Sequence, residues 1–121
     1  MEVSKVVIDL PEKRRITKAS GVINGWFAVR EQQDIPEELA FRVGPIPLPH
    51  HILKRPDVEG AMPGHAIVGF QIQFDLSNYL LYIQDSRLVI QAAVSGYDPF
   101  RLHFTIQEGA LAMCIAAAGG V

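Results

Sequence analysis

The sequence predicts an all-β fold, an antiparallel β-sandwich of about seven short strands followed by a short Ala-rich C-terminal segment. Three observations carry this. Apolar and polar residues alternate through residues 67–76 and 100–106, the period of two that sends successive side chains to opposite faces of a strand. Runs rich in β-branched and aromatic residues recur about every 8–12 residues, separated by Gly, Pro, Asn and Asp. The chain is 121 residues long and 49% hydrophobic, enough to fill one core and too short for two domains.

Residues 3–10 read as a first strand, ended by Pro11 and followed by the basic cluster Lys13, Arg14 and Arg15. Residues 20–29 form a second strand weighted by Val22, Trp26 and Phe27, and Gly21 and Gly25 within it mark a bulge or a close backbone approach. A polar loop with Pro36 follows over residues 30–38, then a strand over 39–43. Pro45, Pro47 and Pro49 remove three backbone donors, so residues 44–49 fit only an edge strand or a polyproline-like segment. Residues 55–64 read as an ordered loop with a helical turn starting at Pro56 and Asp57.

Along residues 67–76, Val68, Phe70, Ile72 and Phe74 alternate with Gly69, Gln71, Gln73 and Asp75. Residues 80–83 read as a short strand or turn. Residues 87–94 and 100–106 form a hairpin across the turn Ser95-Gly96-Tyr97-Asp98-Pro99. The expected core comprises Val22, Trp26, Phe41, Val43, Phe70, Ile72, Phe74, Leu88, Ile90, Leu102 and Phe104, drawn from both sheets. Residues 1–108 thus form the sandwich domain. Residues 109–121 form a separate tail whose composition favours a short helix; docking, disorder and continuation into another domain all stay open.

Composition narrows the partners. A formal net charge of −2 gives no broad attraction to nucleic acid or anionic lipid. The longest apolar stretch, residues 110–121, falls short of the ~20 residues that span a bilayer, so no membrane span is expected. The N-terminus shows no basic segment leading into an apolar one, and the single cysteine, Cys114, cannot form an internal disulfide. A cytoplasmic location is the resulting expectation. Cys114 reads as a small apolar residue in its Ala-rich surroundings.

Four motifs occur in order: Gly21-Val22-Ile23-Asn24-Gly25-Trp26-Phe27, Arg55-Pro56-Asp57-Val58, Ala61-Met62-Pro63-Gly64 and Val68-Gly69-Phe70. Together they resemble the immunoglobulin-like β-sandwich accessory region attached to some bacterial glycosyltransferases, sulfotransferases and methyltransferases. The resemblance covers residues 19–106. It implies an immunoglobulin-like antiparallel sandwich and a non-catalytic module beside an enzyme domain.

Arg55, Asp57 and Trp26 are the candidate ligand-binding residues. Arg55 suits an anionic or sugar-like ligand with Asp57 accepting from hydroxyls. The structural alternative, which the sequence favours, is an Arg–Asp tether with Asp57 capping the following turn. Trp26 would stack on a sugar if exposed, or anchor the core between the sheets if buried, the favoured reading. Ile46 and Leu48, on the proline-rich edge, are the candidate interaction surface. His50, His51, His65 and His103 show no metal-ligand spacing and read as exposed, so neither a metal nor another cofactor is expected. Lys13, Arg14, Arg15 and Lys18 read as a solvated turn.

No nucleophile elbow, phosphate loop or paired carboxylates nominate a catalytic residue, and no enzyme is expected. The function expected is a non-catalytic accessory or protein-interaction module that self-associates, with a protein partner or a homo-oligomer. A carbohydrate-binding module with a glycan partner is the alternative, and a small enzyme on a β scaffold the second.

Overall fold

The computed structural model describes residues 2–30 and 38–119. The polar loop expected around Pro36, and the acidic Glu37 next to Glu38, lie almost wholly outside them. Two sheets form. The first contains β1 (Lys5–Leu10), β3 (Ser20–Arg30), β7 (His65–Asp75) and β6 (His50–Leu53), in the order β1-β3-β7-β6. The second contains β2 (Arg15–Ile16), β9 (Phe100–Ile106), β8 (Arg87–Val94), β4 (Leu39–Val43) and β5 (Ile46–Pro47), in the order β2-β9-β8-β4-β5. Every pairing is antiparallel except that of β2 with β9. Helix α1 (Pro56–Glu59) lies between β6 and β7, and α2 (Glu108–Gly119) follows β9.

The described residues thus hold nine strands, not about seven. Residues 15–16 and 50–53 pair where no strand was expected, because each borrows the edge of a longer neighbour. Residues 80–83 are not a strand; they end a 3-10 segment, Leu76–Tyr82. Asp75 caps the start of that segment, its carboxylate accepting from the Ser77 amide at 3.1 Å and the Ser77 hydroxyl at 2.6 Å. The proline-rich edge does form an edge strand, β5, with Pro47 opposite Arg42.

The two sheets pack face to face. Phe41 of β4 meets Phe70 of β7 at 5.0 Å between ring centroids, and Phe27 of β3 meets Phe100 of β9 at 5.7 Å. These offset contacts suit the aromatic quadrupole better than flat stacking. Val68, Phe70, Ile72 and Phe74, the apolar set read along residues 67–76, are all buried, but Ile67 and Gly69 at the other parity are buried too, so burial alternates only from Phe70 onward. The hairpin of β8 and β9 forms as expected, with Leu88 opposite Phe104 and Ile90 opposite Leu102. Gly96 takes a φ of +82° in its turn, where a side chain would be strained.

Strand β3 departs from expectation in its facing. Gly21, Ile23 and Gly25 stand opposite Phe74, Ile72 and Phe70, so odd-numbered positions face the core. Val22 is therefore on the outer face and 40% exposed, while Ile23 is fully buried in its place. Trp26 shares that outer face. It is buried, but not between the sheets as expected.

Helix α2 docks one side against the Leu76–Tyr82 segment. Ala110 and Cys114, one turn apart, are buried in the main core, and Leu111 packs partly against it. Cys114 is a free thiol, as a small apolar core residue would be, and burial pushes its pKa up.

Candidate functional site

The outer face of the first sheet carries a second, smaller apolar cluster of Trp26, Ala28, Val58 and Ile67, with Val7 and Met62 packed on it. Its origin lies in local sequence. Pro56 presets the first helical φ of α1, and the one-turn helix turns Val58 down onto the indole. Lys5 Nζ sits 5.9 Å from the Trp26 ring centroid, within cation–π range.

Arg55 closes this cap. Its Nε donates to Asp57 Oδ1 at 3.1 Å and its Nη2 to Asp57 Oδ2 at 3.0 Å, a bidentate fork. Its Nη1 donates to Asp9 Oδ2 on β1. The arginine reaches Asp9 by passing over Gly69: a Cβ there would lie 2.6 Å from Arg55 Cγ and 2.5 Å from the Leu53 carbonyl oxygen. Glycine is thus required for close approach. Gly25 has the same role for β1, since a Cβ there would lie 2.6 Å from the Val7 carbonyl oxygen. Trp26, Arg55, Asp57, Val58 and Gly69 therefore converge on one staple joining β1, β3, β7 and α1 on the outer face, while Gly25 lets β1 approach from the core side.

The three candidate ligand-binding residues are brought together, but they face one another. Each nitrogen of Arg55 is engaged by a carboxylate, and Trp26 is only 7% exposed. The tether expected between Arg55 and Asp57 is present. Asp57 turns both carboxylate oxygens to Arg55, and Arg55 itself occupies the N-cap position with no side-chain cap bond. The link to Asp9 does not follow from the sequence, because the two residues lie 46 positions apart, beyond any local pattern.

The hydrogen-bonded fork from Arg55 holds the Asp57 carboxyl below its ordinary pKa. A carboxylate with a depressed folded-state pKa stabilises the fold fully above the unfolded value, and that contribution disappears as pH falls through the folded one. Asp57→Asn is therefore expected to destabilise the protein at neutral pH. The gap between variant and wild type should narrow as pH drops below about 4. Urea unfolding at neutral and acidic pH measures this directly.

The proposed edge surface needs correction. Leu48 is 3% exposed and lies in the main core, and Ile46 packs partly against that core. The Leu48 amide donates to the Phe41 carbonyl at 2.8 Å, which pulls the segment onto β4 and turns the side chain inward. Of the histidines, His51 and His103 are exposed as expected, whereas His50, in β6, is half-buried and packs edge-on against Phe41 at 5.2 Å. Among the described residues no three His, Cys, Asp or Glu side chains gather as a metal site. No described helix is long and apolar enough to cross a membrane.

Two other surface features remain. A cleft of about 760 Å³ runs along β4 and β6, with Phe27, Leu39 and Val68 among its apolar walls and Arg42, His50 and Tyr97 among its polar ones. Four large hydrophobics project into solvent from α2 and the segment beneath it: Leu81 is 90% exposed, Met113 64%, Ile115 57% and Tyr82 43%. The sequence did hint at the second feature, in a tail helix apolar on every side. A helix of that kind cannot hide its whole circumference against one neighbour. No protein family, curated protein or solved structure matches the chain.

Proposed function

We propose that the chain is a non-catalytic accessory or protein-interaction module of immunoglobulin-like architecture. The strand order supports the architecture. With the nine strands lettered in chain order as A, A′, B, C, C′, D, E, F and G, the first sheet reads A-B-E-D and the second A′-G-F-C-C′, the arrangement of immunoglobulin sandwiches. One observation carries the functional reading. The motif residues Trp26, Arg55, Asp57 and Gly69 serve to clasp a loop to a sheet, so the groups best suited to hold a ligand hold the fold instead. What the domain then offers to others is surface, and its exposed apolar side chains favour protein over small polar ligands.

The cleft along β4 and β6 favours the second reading, carbohydrate binding, because its volume falls in the range of about 300–1,000 Å³ typical of ligand pockets. A glycan array probed with the full chain separates the two. The interaction reading expects no saturable glycan signal, together with a blue-shifted Trp26 emission that sugars do not quench. A glycan that binds saturably, and loses its affinity when Arg42 or Tyr97 is replaced, overturns it.

A further inference from the structure

We infer that the outer face of the second sheet docks a carboxylate-rich segment of another protein, a proposal that rests on the interaction reading and adds the partner's chemistry. The strand register sets two rows across this face. In one, Arg15 of β2, Thr105 of β9 and Arg87 of β8 stand side by side. In the other, Arg101 of β9, Gln91 of β8 and Arg42 of β4 do the same. All six side chains are exposed, and so is His103 between the rows. The five strands of this sheet contain no aspartate or glutamate. The acids that flank them along the chain, Glu12, Glu38, Asp85, Asp98 and Glu108, all lie beyond the strand ends. Among the described residues, none of the four arginines meets a carboxylate at salt-bridge distance.

Such a pattern does not help the fold. Opposite charges on neighbouring strands stabilise a sheet, and like charges weaken it. Thr105 and Gln91 keep the arginines of each row a strand apart but compensate neither of them. Four uncompensated positive charges on one face of a chain whose net charge is −2 point instead to an anionic partner.

Spacing and composition select that partner. Neighbouring strands lie about 4.8 Å apart and rise about 3.4 Å per residue, so the arginines of one row are about 10 Å apart and the rows about 13 Å apart. A single phosphate or carboxylate reaches only one of them. An extended peptide with acids three or four residues apart repeats the same spacings, and each guanidinium can grip a carboxylate through two parallel hydrogen bonds. The outward positions of these strands hold no Phe, Trp or Tyr on which a base or a sugar ring would stack. A membrane or a nucleic-acid duplex extends past the face and meets a chain that is negative overall. A short acidic segment contacts the face alone.

Fluorescence anisotropy of a labelled peptide of about twelve residues, with glutamate at every third position, tests this on the full chain at low salt. Saturable binding is expected, weakening severalfold as salt rises from about 0.05 to 0.5 M. Arg87→Glu and Arg101→Glu should each cost about tenfold in affinity, and the corresponding glutamine variants less. Lys54→Glu makes the same charge change at an exposed residue outside this sheet and should alter binding little. The three substituted side chains are exposed, and melting curves verify that the variants fold. A wild type that ignores the peptide overturns the inference, as does binding that Lys54→Glu weakens as much as Arg87→Glu does. Phosphatidylserine-rich vesicles or an oligothymidylate held more tightly than the peptide, through the same arginines, also overturn it. Polygalacturonate bound there in preference to the peptide refutes the interaction reading itself, whereas a chain that ignores all four probes refutes the acidic partner alone.

Discussion

Replacing Trp26 with alanine is expected to cost roughly 3–5 kcal/mol of folding stability, the usual range for emptying a buried tryptophan site. A domain has only about 5–15 kcal/mol to lose. For a chain of this length each kcal/mol shifts the melting temperature by about 4 °C, so the loss corresponds to about 12–20 °C. The effect should be regional as well as global. Without the indole, Val58 and Met62 lose their apolar seat, and Arg55 alone holds the loop through partly exposed ion pairs. Such pairs contribute little by themselves. Limited proteolysis should therefore cut the variant within residues 54–64 before the rest of the domain. Thermal melts followed by circular dichroism measure the global effect, since the only tryptophan is gone.

Phe70→Ala should cost a similar ~3–5 kcal/mol by a different route. Phe70 is fully buried, with its ring 5.0 Å from that of Phe41 and 6.3 Å from that of Phe27. It thus links the two sheets at their centre. Its removal leaves a void bordered by rings from both layers, and stiff sheets cannot collapse to refill it. Here the loss should appear as a lower midpoint for the whole transition, with no loop released first. Urea melts should show this, and Leu81→Ala, at a side chain 90% exposed, should stay within about 0.5 kcal/mol of wild type.

The contrast between these two residues also shows what a reader of the sequence can and cannot see. Phe70 is followed by Gln71, Gln73 and Asp75 at alternate positions, so the period of two that runs on through Ile72 and Phe74 fixes its face, even though Ile67 and Gly69 before it are buried as well. Trp26 begins a run, Trp26 to Val29, in which every side chain is buried. Both faces of β3 are covered there, one by the opposite sheet and one by α1. Alternation then carries no information about which parity points inward, and Val22 and Trp26 lie on the outer face although the sequence predicts them between the sheets. The cover on the outer face comes from a loop about thirty residues downstream, beyond the reach of any local pattern.

The candidate site was legible to a similar degree. Arg55 and Asp57 are two residues apart, and their tether follows from that spacing. The partner that turns the tether into a clasp, Asp9, does not follow from it, because only the completed sheet places β1 beside β3 and one strand away from β7. Leu48 failed for another reason. Alternating prolines announced an edge, but an edge strand still has an inner face, and a single amide bond to Phe41 chose it. The exposed face of α2 needed the structure to show which of its sides was already occupied.

The parallel rung between β2 and β9 has a mechanical consequence. Strand β2 lies close to the start of the chain and β9 close to its end, and they run side by side in the same direction, with the Gln107 amide bonded to the Ile16 carbonyl at 2.8 Å. Tension applied between the two ends, once β1 has parted from β3 and α2 from the core, drags these strands past each other lengthwise. Their bonds are then loaded in shear and must rupture together, rather than peeling open one at a time like a zipper. Strung between two anchors, the domain would resist stretching at this short seam.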